Sequence, residues 1–528
     1  MHDDAEMRGS LKFPEVYNAT TDLVDRHLSE GRGARRAYVD DLGAYSYAEL
    51  SARVDAAGHA LATLGVQAEQ RVLLMLVDSV DFPALFLGAM KIGAVPVPVS
   101  TLLKPADYAF FLRDSRANVV AVSDALRPVL DEALALSPSI PEHVLFVPSV
   151  LGGKKKRGDV TLANLSAHLP STLSAASTSP DEAAFWLYSS GSTGAPKAAV
   201  HLHAHLMRTA VLYAEGVLGM RPDDVIFSAA KLFFAYGLGN ALTFPLAIGA
   251  CAVLTAERPT PAVVTRVMRQ HQPTIFGGVP TLFAALLADA EVQRGALSAA
   301  LRVSISAGEG LPKHVGEAWL ARFGSDILDG IGSTELLHIF LSNRPGDVRY
   351  GTTGRAVPGY DLALRGDAGE PVGDGEQGAL WVRGETACVG YWNQRERSLA
   401  TFHGEWARTG DRYMRDDDGY YTFCGRCDDM LKVGGIWVAP FEVESALAEH
   451  PLVLEAAVVG APDGDGLIKP KAFVVLRPGE VSSDALVEEL RGFVKARLAP
   501  YKSPRWIDIV AELPKTATGK IQRFKLRD

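Results

Sequence analysis

The chain has 528 residues, room for about three or four folding units at roughly 150 residues each, which excludes a mini-protein held together by disulfide or metal staples. Hydrophobic residues make up 48% and charged residues 22%, the balance of a globular chain and not of a disordered one. Lys+Arg 53 against Asp+Glu 62 leaves a net charge of −9, which argues against a nucleic-acid surface and requires any anionic ligand to be held by a local cluster of donors.

The opening residues, MHDDAEMRGS, have no apolar core, so no signal peptide is expected, and the ending KLRD is not an organellar address. Four cysteines, at 251, 388, 424 and 427, suit free thiols in a reducing cytosol. From residue 40 to about 340, apolar β-type runs alternate with helical patterns: Arg71–Val77, Phe82–Lys91, Ala94–Val99 and Val119–Val122, then Val225–Ser228, Cys251–Thr255, Ile275–Gly277 and Arg302–Ser306. This alternation predicts α/β layers with largely parallel sheets. Between them Lys154–Arg157 reads as a solvated loop tip, and Ser171–Ser179 as a mobile connector. The uncharged stretch Leu232–Ala256 has the length of a membrane span. Gly237, Gly239, Asn240, Pro245 and Gly249 punctuate it, and predict a loop, a buried helix and a strand instead.

After residue 350, Gly/Asp turns between short alternating runs such as Gly378–Arg383 and Gly419–Phe423 predict a small β-rich subdomain. The last hundred residues change texture again. A helix over Pro440–His450, strands over Leu454–Gly460 and Lys471–Leu476, and a helix capped by Ser482 or Ser483 with Leu486, Leu490, Phe493, Val494 and Leu498 on one face form a compact α+β unit. The expected fold is therefore α/β: a large multilayer N-terminal domain, residues 1–427, of two α/β subdomains plus a small β-rich one, followed by a small, mobile α+β C-terminal domain, residues 428–528.

The strongest chemical signal is YSSGSTGAPK, Tyr188–Lys197, directly after the strand-like Ala183–Leu187. Its glycines allow close backbone approach to polyphosphate, its hydroxyls and N–H groups donate, and Lys197 adds positive charge. Ala198 follows Lys197, so this is not a Walker A loop. Four more segments follow in order: DGIGSTE at 329–335, TGD at 409–411, GRCDD at 425–429 and PKTATGK at 514–520.

Together these motifs resemble the adenylate-forming acyl-CoA synthetases, across nearly the whole chain. The resemblance implies a carboxylate joined to AMP with release of pyrophosphate, then displacement of AMP by the thiol of CoA, with ATP and Mg²⁺ required. It implies that Ser189, Ser190, Gly191, Ser192, Thr193, Gly194 and Lys197 cradle the β/γ-phosphates, that Glu335 binds Mg²⁺ and that Thr334 meets the α-phosphate. Gly308, Glu309, Asp329, Gly330 and Ile331 would line the adenine slot. Asp411 would accept the ribose hydroxyls, supported by Arg426, and Lys520 would be the catalytic lysine between the two anions. Asp428 would be the hinge on which the C-terminal lid turns, and Gly434–Gly435 would border the pantetheine channel of CoA.

Within the superfamily, FFAYGLGNAL and GSTELLHIFLSN most resemble benzoate–CoA ligases, which implies a short aryl pocket of Ala235, Tyr236, Gly237, Ile331, His338 and Ile339. Phe234 and Ile331 stand where many relatives carry His and an aromatic residue. His338 also reads as a packed helix histidine, and Asp428 as a solvated turn acid. Ligation of another small acid (a hydroxy- or aminobenzoate, cyclohexanecarboxylate, a medium-chain acid), loading of a carrier protein, and a silent nucleotide sensor remain open. The expected partners are the small-molecule carboxylic acid, ATP and CoA, with no nucleic acid or membrane, a lysine acetyltransferase and deacetylase acting on Lys520, and a second copy in a homodimer. Two further patterns are set aside. Cys424 and Cys427 form a CxxC without a second pair, and His201, His203 and His205 alternate as on a strand without an acidic or cysteine ligand beside them.

Overall fold

The computed structural model describes residues 11–153, 158–166, 172–189, 196–433, 436–464, 467–515 and 521–527. Its first layer is a parallel sheet in the order Val95–Pro98, Arg71–Met75, Val119–Ser123, His143–Val147, Val160–Thr161. Every residue of Val119–Ser123 is buried, because a parallel sheet covered on both faces asks for a continuous apolar run and not an alternating one. The helix Tyr47–Thr63 begins at a capping box, in which Ser46 Oγ accepts from Glu49 N and a Glu49 carboxylate oxygen accepts from Ser46 N. It lies close against the helix Asp81–Lys91. The contact depends on Gly88, where a Cβ would stand 2.8 Å from Gly58 N and from Val54 O.

The second layer is a nine-stranded sheet: Arg355–Ala356, Ile339–Ser342, Asp326–Gly332, Val303–Ser306, Ile275–Gly278, Val225–Ser228, Cys251–Val253, Arg36–Val39, Ala44–Ser46. The strands from Asp326–Gly332 to Arg36–Val39 pair in parallel, and antiparallel strands close both edges. Ser228, Gly278, Ser306 and Gly332 end neighbouring strands at one edge, the place where open α/β sheets bind ligands. An antiparallel hairpin, Ala183–Ser189 with Lys197–Leu202, stands beside these layers. The β-rich subdomain is antiparallel, with Trp406–Arg415 between Gln377–Arg383 and Tyr421–Arg426.

The C-terminal unit has its own core. The strands Val453–Pro462, Ile468–Leu476 and Trp506–Ile509 carry the helices Pro440–Ala448 and Asp484–Lys495. Ser483, not Ser482, caps the second helix, accepting from Leu486 N at 3.2 Å, and Leu486, Leu490 and Val494 are its buried face. A large multilayer α/β N-terminal domain followed by a small α+β domain is the architecture expected from the sequence.

Three local expectations change. Residues 172–179 are held: Tyr17 N donates to Thr178 O, Thr178 Oγ1 donates to Tyr17 O, both at 2.7 Å, and Ala176 N donates to Lys91 O. The alternation of His201, His203 and His205 does not continue a strand, because the strand ends at Leu202 and the helix His203–Thr209 begins there. The run placed at Gly419–Phe423 is a strand over Tyr421–Arg426, preceded by a turn at Gly419 with φ 82°. The uncharged stretch from Leu232 breaks into the short helical turns Ala235–Leu238, Gly239–Thr243 and Phe244–Ile248, and Gly249 with φ 86° ends the last before the strand Cys251–Val253. No helix among the described residues is long and apolar enough to cross a membrane. Lys154–Arg157 lie outside the described residues.

Candidate active site

The hairpin that opens the glycine-rich motif sets Ser189 opposite Lys197. Ser190, Gly191, Ser192, Thr193 and Gly194 lie outside the described residues. Lys197 Nζ stands 3.1 Å from Glu335 Oε1, and Ser189 Oγ reaches the same oxygen at 3.5 Å. Tyr391 joins them. Its hydroxyl accepts from Lys197 Nζ at 2.6 Å and donates to Glu335 Oε1 at 2.7 Å. Burial alone would raise the Glu335 carboxyl, but the Lys197 ammonium and the Tyr391 hydroxyl outweigh it and hold the group below its ordinary value. An ionised carboxylate next to a lysine and the Ser189 hydroxyl is a hard oxygen donor suited to Mg²⁺ shared with phosphate.

Thr334 and Glu335 sit on the turn after the strand Asp326–Gly332, pinned from two sides. His201 Nε2 lies 2.8 Å from Thr334 O, and Cys388 N donates to Glu335 O at 2.8 Å. A carbonyl only accepts, so His201 carries its proton on Nε2; its Nδ1 lies 3.1 Å from His205 Nδ1, which accepts from Leu202 N at 3.3 Å. Burial lowers His201 and His203 to about 4 each and His205 well below its ordinary value. The three imidazoles are thus structural: His203 Nδ1 accepts from Ala19 N, and the set does not converge on one point.

The next strand turn brings Gly308, with φ 100°, and Glu309 to the same edge. Asp329 lies below it and turns inward. Burial raises its carboxyl well above the ordinary range, while the Thr353 hydroxyl and the backbone N–H groups of Leu311 and Gly330 hold it. Gly330 and Ile331 continue the strand, and a Cβ on Gly330 would meet the Ile339 side chain at 3.1 Å. Asp411 pairs with Arg426 across two strands of the β-rich sheet, Arg426 Nη1 donating to Asp411 Oδ1 at 2.9 Å. Asp411 raises the arginine, and Gly410, with φ 80°, leaves the guanidinium its space, since a Cβ there would stand 2.8 Å from Arg426 Nη2.

Of the residues expected to line an aryl pocket, Tyr236 meets His338 and Ile339 packs by Gly330. Tyr236 donates from its hydroxyl to Ile305 O at 2.9 Å, and its ring lies 5.6 Å from that of His338. His338 is buried among Tyr213, Tyr236 and Phe244, which brings it down to about 3. Its Nδ1 has no hydrogen-bond partner among the described residues. The Gly residues here are steric: a Cβ on Gly239 would come within 2.2 Å of His338 Cδ2, and one on Gly237 within 2.0 Å of Lys231 O. Ala235 and Gly237 flank Tyr236 on one helical turn, and Ile339 is buried beneath Gly330. Asp78, raised by burial to about 6, receives Leu232 N and faces Lys231, fixing the start of this segment.

On the C-terminal unit, Lys520, Gly434 and Gly435 lie outside the described residues. Ile521, the next residue after Lys520, donates from its N to Glu309 Oε1 at 3.1 Å. Arg523 grips Glu444 through Nε and Nη2, at 2.9 and 2.7 Å, and Asp429 pairs with Arg527. Asp428 sits in the exposed turn between Arg426 and this unit. Cys424 and Cys427 are free thiols, and burial raises Cys424 to about 12. Sequence reasoning did not single out Tyr391, His201 or Asp78 as parts of the site.

Residues 25–392 match the model of the AMP-binding enzyme family, and residues 442–520 that of the AMP-binding enzyme C-terminal domain. The chain is 55% identical to the benzoate–CoA ligase of Thauera aromatica, over 99% of this chain and 98% of that one. Among solved structures it resembles a benzoate CoA ligase from Burkholderia xenovorans LB400, with a TM-score of 0.90 and 50% identity over 97% of this chain and all of that one. It also resembles an anthranilate CoA ligase in complex with anthranoyl-AMP, with a TM-score of 0.93 and 43% identity over 97% of each chain.

Proposed function

The chain belongs to the AMP-binding enzyme family, and from that premise we propose that it is an aryl-CoA ligase for benzoate, converting ATP, benzoate and CoA to benzoyl-CoA, AMP and pyrophosphate. The observation that carries the choice of acid lies three residues beyond the Thr334–Glu335 turn. There the wall is made of neutral rings, His338 held uncharged among Tyr213, Tyr236 and Phe244, with Ile339 under Gly330. Such a wall fits an apolar ring and offers no charge to a second acidic group.

In the first half-reaction a benzoate oxygen attacks the α-phosphorus and pyrophosphate leaves. In the second the CoA sulfur attacks the acyl carbon and AMP leaves. Lys197 and the Ser189–Gly194 loop hold the β/γ-phosphates, Thr334 the α-phosphate, and Gly308, Glu309, Asp329, Gly330 and Ile331 the adenine. Asp411, steadied by Arg426, accepts from the ribose hydroxyls. Glu335 is the ligand for Mg²⁺, which when bound neutralises phosphate charge. Lys520 would act on two anions that must meet, offsetting their repulsion and then stabilising the charge that develops.

The domain division at residues 427 and 428, with Asp428 as hinge, lets the C-terminal unit present Lys520 for adenylation and then Gly434–Gly435 for CoA. Acetylation of Lys520 would remove its charge and stop the first half-reaction, with a deacetylase restoring it. The free thiols and the ATP and CoA requirement support a cytosolic location.

The test is pyrophosphate release, with and without CoA, across benzoate, hydroxybenzoates, aminobenzoates, cyclohexanecarboxylate and octanoate. Benzoate should be among the best substrates, and a marked preference for octanoate or cyclohexanecarboxylate would overturn the pocket assignment. The unpartnered Nδ1 of His338 favours one second reading, a ring carrying a hydroxyl or amino group that hydrogen-bonds there.

A further inference from the structure

The segment 388–392 is hydrogen-bonded to both elements that carry the Lys197–Glu335 pair. Cys388 N donates to Glu335 O at 2.8 Å. Val389 N donates to Val200 O, Val200 N to Gly390 O, and Trp392 N to Ala198 O, at 3.1, 3.1 and 2.9 Å. Tyr391 thus runs along the strand Lys197–Leu202, bridged to Ala199. Its own N–H donates to Ser398 Oγ at 2.9 Å, and its ring packs on Phe402. The side chain has little freedom, and its hydroxyl sits between the ammonium and the carboxylate.

We propose that Tyr391 is a positioning residue of the ATP site, whose single hydroxyl holds Lys197 and Glu335 in place for the magnesium-bound triphosphate. The inference rests on reading Lys197 and Glu335 as the phosphate and Mg²⁺ groups. Before nucleotide arrives, the two neutralise each other at 3.1 Å. When the magnesium complex binds, each takes a partner of opposite charge from the ligand, and their direct contact must loosen. Without a third group, the released lysine side chain and the carboxylate would be free to swing. The tyrosine hydroxyl suits this exchange because it is neutral and two-sided: its proton goes to Glu335 and a lone pair receives from Lys197. It tethers both groups without competing for either ligand's full charge.

The test uses the full chain and its Tyr391→Phe variant. Binding of α,β-methylene ATP, which cannot release pyrophosphate, is measured by calorimetry with excess Mg²⁺ and with EDTA. Losing a hydrogen bond to charged groups should weaken the magnesium-dependent binding about ten- to a hundredfold, with a smaller difference in EDTA. Conversion of synthetic benzoyl-AMP and CoA to thioester, a step without pyrophosphate in the site, should stay near the parent rate and report the fold. Binding by Tyr391→Phe equal to the parent's would overturn the inference. So would an equal loss of both activities, which would make Tyr391 only a structural strut. Lys197→Ala, measured alongside, separates the two levels: if it too binds the magnesium complex like the parent, the reading of the site itself fails.

Discussion

Acidification from pH 6.5 to about 4 should destabilise the N-terminal domain steeply, because it holds neutral imidazoles that the unfolded chain would protonate. His201, His203 and His338 are 0, 1 and 3% exposed, and burial lowers them from 6.5 to about 4, 4 and 3. A group whose native value is depressed contributes stability that is complete above its unfolded value and lost as pH falls through its native one. At about 1.4 kcal/mol per pH unit, the loss approaches about 3 kcal/mol each for His201 and His203 and about 5 kcal/mol for His338. Asp78 works the other way. Raised by burial from 3.8 to about 6, it favours the native state as pH falls through 6, by about 3 kcal/mol in all. His27 and His205 are lowered by burial as well, and Asp329 is raised, so five imidazoles stand against two carboxyls and unfolding near pH 5 takes up protons on balance. Against a total stability of about 5–15 kcal/mol, this brings unfolding within reach near pH 4. Urea unfolding followed by tryptophan fluorescence from pH 8 to 4.5 should be flat above pH 7 and fall below 6.5. In His203→Gln the slope should drop by about one proton. A profile that is flat or rises between pH 7 and 5 would refute the assignment of neutral buried imidazoles.

Gly239→Ala should raise the KM for benzoate about tenfold and leave that for ATP unchanged in a pyrophosphate-release assay. The new Cβ would stand 2.2 Å from His338 Cδ2, where Tyr213 and Phe244 deny the ring a retreat, and overpacking of this kind costs about 1–3 kcal/mol. Asp411→Asn should raise the KM for ATP about ten- to a hundredfold with little effect on the acid, since it weakens acceptance from ribose and leaves Arg426 without its ion pair. Cys427→Ser should keep full adenylation activity, and loss of it would mean that a thiol takes part.

The layers were legible because each is written in one local pattern. Val119–Ser123 is apolar throughout and lies in a parallel sheet, and the helix Asp484–Lys495 shows its stripe of Leu486, Leu490 and Val494 behind a serine cap. The His201–His205 run misled for a physical reason: an alternating pattern of five residues cannot say whether the chain bends midway, and here Glu182 O and Pro180 O receive the N–H groups of His203 and Ala204 at the bend. Likewise Ser171–Ser179 has the composition of a linker, yet Tyr17 and Lys91, far off in sequence, tie Thr178 and Ala176 down. Tyr391 escaped notice for the same cause. Its partners Lys197 and Glu335 lie 194 and 56 residues away, and nothing in VGYW encodes that meeting.

Five residues separate Asp329 from Glu335, and their surroundings drive the two carboxyls apart. Both are buried, and burial favours the protonated form of each. Glu335 has the Lys197 ammonium 3.1 Å away and stays ionised. Asp329 meets only neutral donors, the Thr353 hydroxyl and two backbone N–H groups, and burial raises it well above the ordinary carboxylate range. With its carboxyl tying Leu311 to the strand, Asp329 is expected to serve the adenine slot through its backbone and the placement of the Gly308–Leu311 turn. Glu335 offers an ionised oxygen beside the lysine. A chain with a net charge of −9 can still receive a polyphosphate there. Burial opposes the charge of Asp329, and that of Glu335 is matched by the Lys197 ammonium 3.1 Å away.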